Sequence, residues 1–195
     1  MKVKITGIEQ RIEGWGAYVP FDFEEEFNCE ETELYLPGTN TSWLLSIDLT
    51  PLAKCKNLQE IILSGNLLET LDLSPLRGCT NLQKLSFSSN QLSSLDLSPL
   101  RGCTNLEWLS LKSNQLSFLD LSPLQTCQNL ERFYLKNNQL SSLEVTPLAG
   151  CTQLFEFTID SDVALIWQKP ELPFENLPKG LRELKKLQEL YQQHP

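Results

Sequence analysis

Apolar residues return with a fixed period of 24 residues through the middle of the chain. Near-copies of one segment, LQKLSFSSNQLSSLDLSPLRGCTN in one copy, begin at Leu58, Leu82, Leu106 and Leu130, and a decayed copy begins at Leu154. Proline and cysteine recur in the same register as the leucines. A period of this length is typical of a stacked repeat array, in which each unit is stable only against its neighbours.

Each copy predicts two short elements. The LxL stretch alternates between apolar and polar positions, so it predicts a strand, and stacked copies give a parallel sheet with strands about 4.8 Å apart. A hydroxyl residue followed by proline comes next, at Thr50, Ser74, Ser98, Ser122 and Thr146. The hydroxyl is expected to cap a helix start, and proline fits the first turn. Few residues remain before the next strand, which leaves room for one turn of 3₁₀ helix.

The repeated core LxxLxLxxN, which reads LQEIILSGN from Leu58 to Asn66, resembles the leucine-rich repeat family. The resemblance runs from about Leu34 to Asp162, and the DLSPLxxCxNL half is similar to intracellular versions of the repeat. It implies an α/β fold: a right-handed solenoid with a parallel β-sheet on its concave face and short 3₁₀ or turn segments on its convex face. It also implies that one Asn per copy turns inward to satisfy backbone groups, at Asn66, Asn90, Asn114 and Asn138.

The two ends of the chain are predicted to cap the array, because an open solenoid exposes its last core and a bare sheet edge. We assign residues 1–33 to an N-terminal cap of short strands, 34–164 to five or six coils, and 165–195 to a C-terminal cap with an amphipathic helix. Residues 164–167 are expected to form a last edge strand. The helix has an apolar stripe that fits a capping role, with a membrane-surface helix or the start of another repeat as alternatives: Leu181, Leu184, Leu187, Leu190 and Tyr191.

The six cysteines are interpreted as buried, reduced thiols. Five recur at one position of the copies, where stacking places them about 4.8 Å apart, wider than the Cβ–Cβ spacing of about 3.8 Å in a disulfide. The chain has no CxxC motif and a single histidine, His194, so no metal site is predicted. Reduced thiols favour a reducing compartment, and residues 1–16 contain no apolar run typical of a signal peptide. We therefore expect a cytoplasmic protein.

The net charge of −9 argues against general affinity for nucleic acid or anionic membranes. No histidine is placed to act with Ser or Cys, and no glycine-rich phosphate loop is present, so neither an enzyme activity nor a cofactor is predicted. A column of carboxylates on the return side of the coils either caps the backbone locally or attracts a cation: Asp48, Asp72, Asp96, Asp120 and Glu144.

The outward positions of the predicted strands differ from copy to copy. Basic and aromatic side chains gather around the third and fourth full repeats, and we predict that they bind a partner: Lys84, Trp108, Lys112, Arg132, Tyr134 and Lys136. A structural alternative is that Trp108 and Arg132 stack on each other by a cation–π contact. Lys112 beside Lys136 argues against a purely structural role, because a like-charge pair costs stability unless a partner supplies anions.

The sequence thus predicts a monomeric, non-enzymatic module that binds another protein through its concave sheet, with an acidic epitope as the expected target. The alternative is a regulator or inhibitor of an enzyme, such as a nuclease or small GTPase, that acts through the acidic flank. The charge of the partner discriminates between them, because the flank would require a basic partner.

Overall fold

The N-terminal cap is a three-stranded antiparallel sheet. The computed structural model describes residues 1–13, 17–169 and 172–193, so parts of both predicted caps, with His194, lie outside the described residues. The chain enters through a long hairpin of β1 (Lys2–Glu13) and β2 (Ala17–Asn28), passes through β3 (Glu33–Tyr35) and returns as β4 (Ser42–Asp48). Strand β1 lies between β2 and β4. Strands form in the region where the sequence predicts them, but β1 and β2 span 12 residues each and are not the short strands expected.

A six-stranded parallel sheet forms the concave face, as predicted. Its strands pair in sequence with a shift of one repeat, so that Lys84 lies beside Trp108 and Trp108 beside Arg132. The strands that follow β3 are β5 (Glu60–Ile62), β6 (Lys84–Ser86), β7 (Trp108–Ser110), β8 (Arg132–Tyr134) and β10 (Glu156–Thr158). Leucine, isoleucine and phenylalanine side chains at the middle of these strands are buried in one continuous core.

The return half of each coil carries a short 3₁₀ segment with proline in its first turn, as predicted, at Thr50–Lys54, Ser74–Leu76, Ser98–Leu100, Ser122–Thr126 and Thr146–Gly150. The prediction that the hydroxyl caps each segment is wrong, because the cap position is a leucine or valine with no side-chain hydrogen bond. The aspartate two residues before the serine accepts the backbone N–H instead. Asp72 Oδ1, for example, accepts the Ser74 backbone N–H at 2.8 Å.

An asparagine ladder runs along the coils where the chain leaves the sheet, as the resemblance implies. In the coil of Asn114, Oδ1 accepts the Leu92 N–H at 3.1 Å, and Nδ2 donates to the carbonyls of Phe87 at 3.0 Å and Leu111 at 3.1 Å. The residue before each asparagine has a positive φ, at Gly65, Ser89, Ser113 and Asn137. Asn138 makes the same bonds, whereas Asp162 in the next copy is exposed.

The cysteine prediction is wrong for one pair. Cys79, Cys103, Cys127 and Cys151 are free and buried, but Cys29 and Cys55 form a disulfide with a Cα–Cα distance of 4.4 Å. The spacing argument applied to cysteines stacked in one column. Cys29 comes from the cap, so the spacing of the coils does not set its distance to Cys55, and the bond links the hairpin to the first coil.

The C-terminal end closes the core with a helical segment. Strand β9 (Ser142–Glu144) pairs with β11 (Ala164–Ile166) in a separate two-stranded sheet, so the predicted last strand forms but does not extend the concave sheet. A 3₁₀ turn (Phe174–Asn176), α1 (Lys179–Arg182) and α2 (Lys185–Gln193) follow. Leu181 and Leu187 are buried and Gly180 N–H donates to the Leu154 carbonyl at 2.9 Å, so the segment packs against the last coil, and its capping role stays a prediction. Among the described residues, no helix has the length and apolar character needed to cross a membrane.

Candidate functional site

The predicted patch lies on three adjacent strands of the concave sheet and on the loops that follow two of them. Lys84 belongs to β6, Trp108 to β7, and Arg132 and Tyr134 to β8. Lys112 and Lys136 follow β7 and β8, and the Ser113 N–H donates to the Lys136 carbonyl at 2.9 Å, so the two lysines occupy neighbouring coils. The structure therefore brings all six predicted residues to one face. The four cations among them differ in whether a carboxylate of the protein already pairs with them.

Lys84 is already paired within the protein. Its Nζ lies 2.8 Å from Glu60 Oε1 on the adjacent strand and 5.9 Å from the centre of the Trp108 ring. Its charge is therefore balanced by a neighbour and directed over an aromatic face. This residue contributes less positive charge to the face than the sequence suggests.

Trp108 and Tyr134 form an aromatic pair in the middle of the patch. Their ring centres are 6.2 Å apart in an edge-to-face arrangement that suits the ring quadrupoles. The Tyr134 hydroxyl donates to Glu156 Oε2 at 2.7 Å, and burial together with this bond raises the pKa of Tyr134 to about 12. Trp108 is half-buried, and its Nε1 is enclosed without a hydrogen-bond partner. A buried N–H without an acceptor costs free energy, so the Trp108 indole is the side chain of the patch with an unmet hydrogen bond.

Arg132 stacks on a different ring from the expected one. Its guanidinium carbon lies 4.8 Å from the centre of the Phe155 ring, so the cation–π alternative is correct in kind but wrong in its partner. Nε and one terminal nitrogen lie 3.8 Å from the carboxylates of Glu156 and Glu131. Such long, exposed pairs contribute little energy, and Arg132 remains exposed.

Lys112 and Lys136 are the unbalanced cations of the patch. Both are exposed, and in the described part of the chain neither has a carboxylate within 4.0 Å of its Nζ. Each is followed by a residue with positive φ, Ser113 or Asn137, which sharpens the turn at the end of the strand. Two neighbouring lysines without counter-ions form a surface suited to an anionic group.

A hydroxyl ladder next to the patch is absent from the sequence prediction. Ser86 and Ser110 occupy strand positions that alternate outward with the residues of the patch, yet each is only 4% exposed. Their hydroxyls bond to those of neighbouring coils, Ser64 to Ser86 at 2.6 Å and Ser88 to Ser110 at 2.5 Å. The recurrence of serine at matching positions of adjacent copies is the signal that points to this ladder.

The carboxylate column on the return side serves local backbone capping. Asp96 and Asp120 each accept a backbone N–H at 2.8 Å from the serine two residues later. Hydrogen bonds from Thr50, Ser98 and Ser122 lower the pKa of Asp48, Asp96 and Asp120 respectively. No group of three or more His, Cys, Asp or Glu side chains suited to a metal occurs among residues 1–13, 17–169 and 172–193.

Comparison with known proteins supports this architecture. Two overlapping segments, residues 56–116 and 104–162, match the sequence profile of the leucine rich repeat, and together they span more than half of the chain. The chain belongs to the leucine-rich repeat family. A search of curated proteins found no match. Leucine-rich repeats are typical protein-interaction modules and generally act as non-enzymatic scaffolds.

Solved leucine-rich repeat structures are similar to the chain. The repeat ectodomain of the receptor kinase SOBIR1 from Arabidopsis thaliana superposes with a TM-score of 0.56 at 23% identity, over 83% of this chain and 82% of that chain. Internalin C2 from Listeria monocytogenes matches 62% of this chain at 27% identity with a TM-score of 0.47, and the match spans 56% of the internalin chain. The likeness to the SOBIR1 ectodomain supports the solenoid fold.

Proposed function

We propose that this leucine-rich repeat protein binds another protein through its concave sheet, with Trp108, Tyr134, Lys112 and Lys136 at the centre of the contact. The observation that carries the proposal is the pair of unbalanced lysines on adjacent coils beside a half-buried aromatic pair. Two neighbouring lysines repel each other, which costs stability unless an anionic group binds between them. The net charge of −9 shows that this basic pair is a local exception in an acidic protein.

The proposed partner presents an acidic epitope to Lys112 and Lys136 and an apolar or aromatic group to Trp108. Large aromatic side chains supply much of the binding energy in interfaces, and charges at the rim increase association rate and specificity. Lys84 and Arg132 take a secondary part in this proposal, because both already face carboxylates on neighbouring residues. A monomeric protein in the cytoplasm remains our prediction.

The disulfide weakens one argument for that location. The four free cysteines are buried, and burial raises the pKa of Cys103 to about 11 and those of Cys127 and Cys151 to about 12, which disfavours the reactive thiolate form of these three. A disulfide such as Cys29–Cys55 is more typical of oxidising compartments.

The alternative, a regulator acting through the acidic flank, has weaker support. The return-side carboxylates Asp72, Asp96 and Asp120 are engaged by the backbone two residues later. A basic partner would compete with those bonds. The exposed acids of the N-terminal hairpin, such as Asp22 and Glu25, are the better flank for this alternative.

Site-specific photo-cross-linking tests the proposal. A photoreactive phenylalanine replaces Thr158, the register neighbour of Tyr134 on the concave sheet, or Arg101, an exposed residue on the convex side. In extracts of the source cells, the Thr158 probe should yield a discrete adduct that excess wild-type protein suppresses. A Trp108→Ala/Lys112→Gln/Lys136→Gln competitor should suppress it at least about tenfold less effectively.

Two outcomes contradict the proposal. Equal suppression by the triple variant would show that the patch does not make the contact. A discrete adduct from the Arg101 probe alone would favour the flank. Circular dichroism of each competitor, with Gln115→Ala as a matched surface variant, confirms that a lost effect does not come from unfolding.

A further inference from the structure

A second site lies where the N-terminal hairpin meets the first coil. A cleft of about 250 Å³ opens there between Phe23 on β2, Tyr35 on β3 and Trp43 on β4, and Glu9 on β1 also lines it. Tyr35 is 67% exposed, so the aromatic wall faces solvent at the N-terminal end of the concave sheet. None of the six residues of the predicted patch lines this cleft.

Glu9 is the one charged residue among the described residues that line the cleft. It is only 9% exposed, and burying a carboxylate is costly unless cations or donors meet it. The pairing of β1 with β4 shifts register between Ile8 and Glu9. Such bulges redirect a side chain from the regular alternation of the strand, and here the irregularity coincides with the residue that lines the cleft.

Glu9 already accepts a cationic donor. Arg11 donates to its Oε2 at 2.8 Å, and this bond is the largest cause of the lowered pKa of Glu9. Arg11 does not line the cleft, and its guanidinium lies 5.3 Å from the centre of the Phe21 ring. A carboxylate offers about four acceptor positions, so the bond to Arg11 leaves Glu9 capacity for a second cation from the cleft side.

We propose that this cleft binds one cationic side chain, a lysine ammonium or an arginine guanidinium, presented by the protein partner. Aromatic faces attract organic cations, and a carboxylate at the floor supplies the counter-charge. The same end of the molecule carries several exposed acids that add attraction at longer range: Asp22, Glu25, Glu30, Glu31 and Glu33.

The position of the cleft defines the spacing of charges on the partner. In the concave sheet, β3 is separated from β7 and β8 by three and four strand steps, or about 14–19 Å. A partner that inserts a cation beside Tyr35 therefore presents its acidic group to Lys112 and Lys136 at about that distance. The source of the side chain rests on the proposed function, whereas the chemistry of the cleft does not.

Nuclear magnetic resonance of the whole chain tests the cleft directly. The probes are Nα-acetyl-arginine methylamide, its lysine counterpart, and the neutral isostere Nα-acetyl-citrulline methylamide. The cationic probes should shift the Trp43 indole and Tyr35 ring signals, and citrulline should bind at least about fivefold more weakly. Glu9→Gln and Tyr35→Ala should each weaken the arginine probe by about fivefold or more, whereas Glu24→Gln, an exposed acid of the same hairpin, should not.

Several results would overturn the inference. These are the absence of any shift at Trp43, equal binding of citrulline and arginine probes, or equal effects of Glu24→Gln and Glu9→Gln. If Glu9→Gln fails to fold, the exposed Tyr35→Ala decides the outcome alone.

An extended peptide with one arginine and a pair of glutamates, spaced by about 14–19 Å, tests the source of the side chain. It should bind at least about tenfold more tightly than the arginine probe, and Lys112→Gln/Lys136→Gln should remove that gain without changing how the arginine probe binds. No gain over the arginine probe would mean that the cleft takes a free organic cation and that the partner assignment is wrong. If Glu9→Gln removes the tighter binding of the peptide but the lysine variant does not, the peptide binds the cleft without contacting Lys112 and Lys136. That result would contradict the role of the patch and support the cleft.

Discussion

The return side and the concave face of the same coils use charge in opposite ways. On the return side, Asp72, Asp96 and Asp120 occupy one repeated position, and each accepts a backbone hydrogen bond from the serine two residues later. On the concave face the residue changes from coil to coil, and within the described residues Lys112 and Lys136 have no carboxylate within 4.0 Å. The repeated carboxylates of the return side are therefore engaged by the fold, whereas Lys112 and Lys136 on the concave face are available to a partner.

The largest effect on stability should come from a bond that lies outside both faces. Replacing Cys29 and Cys55 with serine should lower the free energy of unfolding by about 3 kcal/mol, because the disulfide joins residues separated by 26 positions. Denaturant titration measures this loss, and reductant should destabilise the wild type but not the double variant. Thiol counting in denaturant without reductant should find the four free cysteines, and a count of six would refute the bond.

The next largest effect should come from the asparagine ladder. Asn114→Ala removes the acceptor of the Leu92 N–H and the donor to two buried carbonyls, so it should cost about 1–3 kcal/mol of unfolding free energy. Gln115→Ala, one exposed residue later, is the matched control. Equal denaturation midpoints for the two variants would show that the ladder does not stabilise the coil.

Most periodic features could be predicted from the sequence, although the hydroxyl caps were wrong and the serine ladder was missed, and features that occur once could not be predicted. The asparagine ladder and the proline-led 3₁₀ turns repeat in every full copy, so one correct interpretation applied to each coil. The Cys29–Cys55 bond and the Glu9 cleft depend on how the cap meets the first coil, and no repeat reports that geometry. The 24-residue period does place Glu60 beside Lys84, so the ion pair that neutralises Lys84 could have been predicted from the sequence.

The patch shows a second limit of sequence reasoning. Its six residues share a face, as the strand alternation predicts, but alternation does not specify which rotamer a long side chain adopts. Arg132 therefore stacks on Phe155 instead of Trp108, and Ser110 is buried although its position alternates outward. Such contacts depend on packing between several coils.

Acid should weaken the return side more than the concave face. Bonds from Ser98 and Ser122 lower the folded-state pKa of Asp96 and Asp120. Their stabilisation is therefore fully present above the unfolded pKa of about 4 and is lost as pH falls through the folded value. Between about pH 7 and pH 3, an Asp96→Asn/Asp120→Asn variant should lose about 0.5 kcal/mol less unfolding free energy than wild type, because these exposed groups are screened by water. An identical loss in both proteins would show that these carboxylates do not stabilise the turns.

The Lys112→Gln/Lys136→Gln variant tests most directly the central claim that these lysines bind a partner. Two quantities are measured: its free energy of unfolding and its ability to compete for the Thr158 cross-link. The Lys112→Arg/Lys136→Arg variant is the control for both. If varied concave residues serve a partner, the glutamine variant should match or slightly exceed wild-type stability, within about 0.5 kcal/mol. It should compete at least about tenfold less well, while the arginine variant competes as wild type does. A glutamine variant that unfolds more easily yet competes as well as wild type would contradict the account, because the two lysines would then serve the fold.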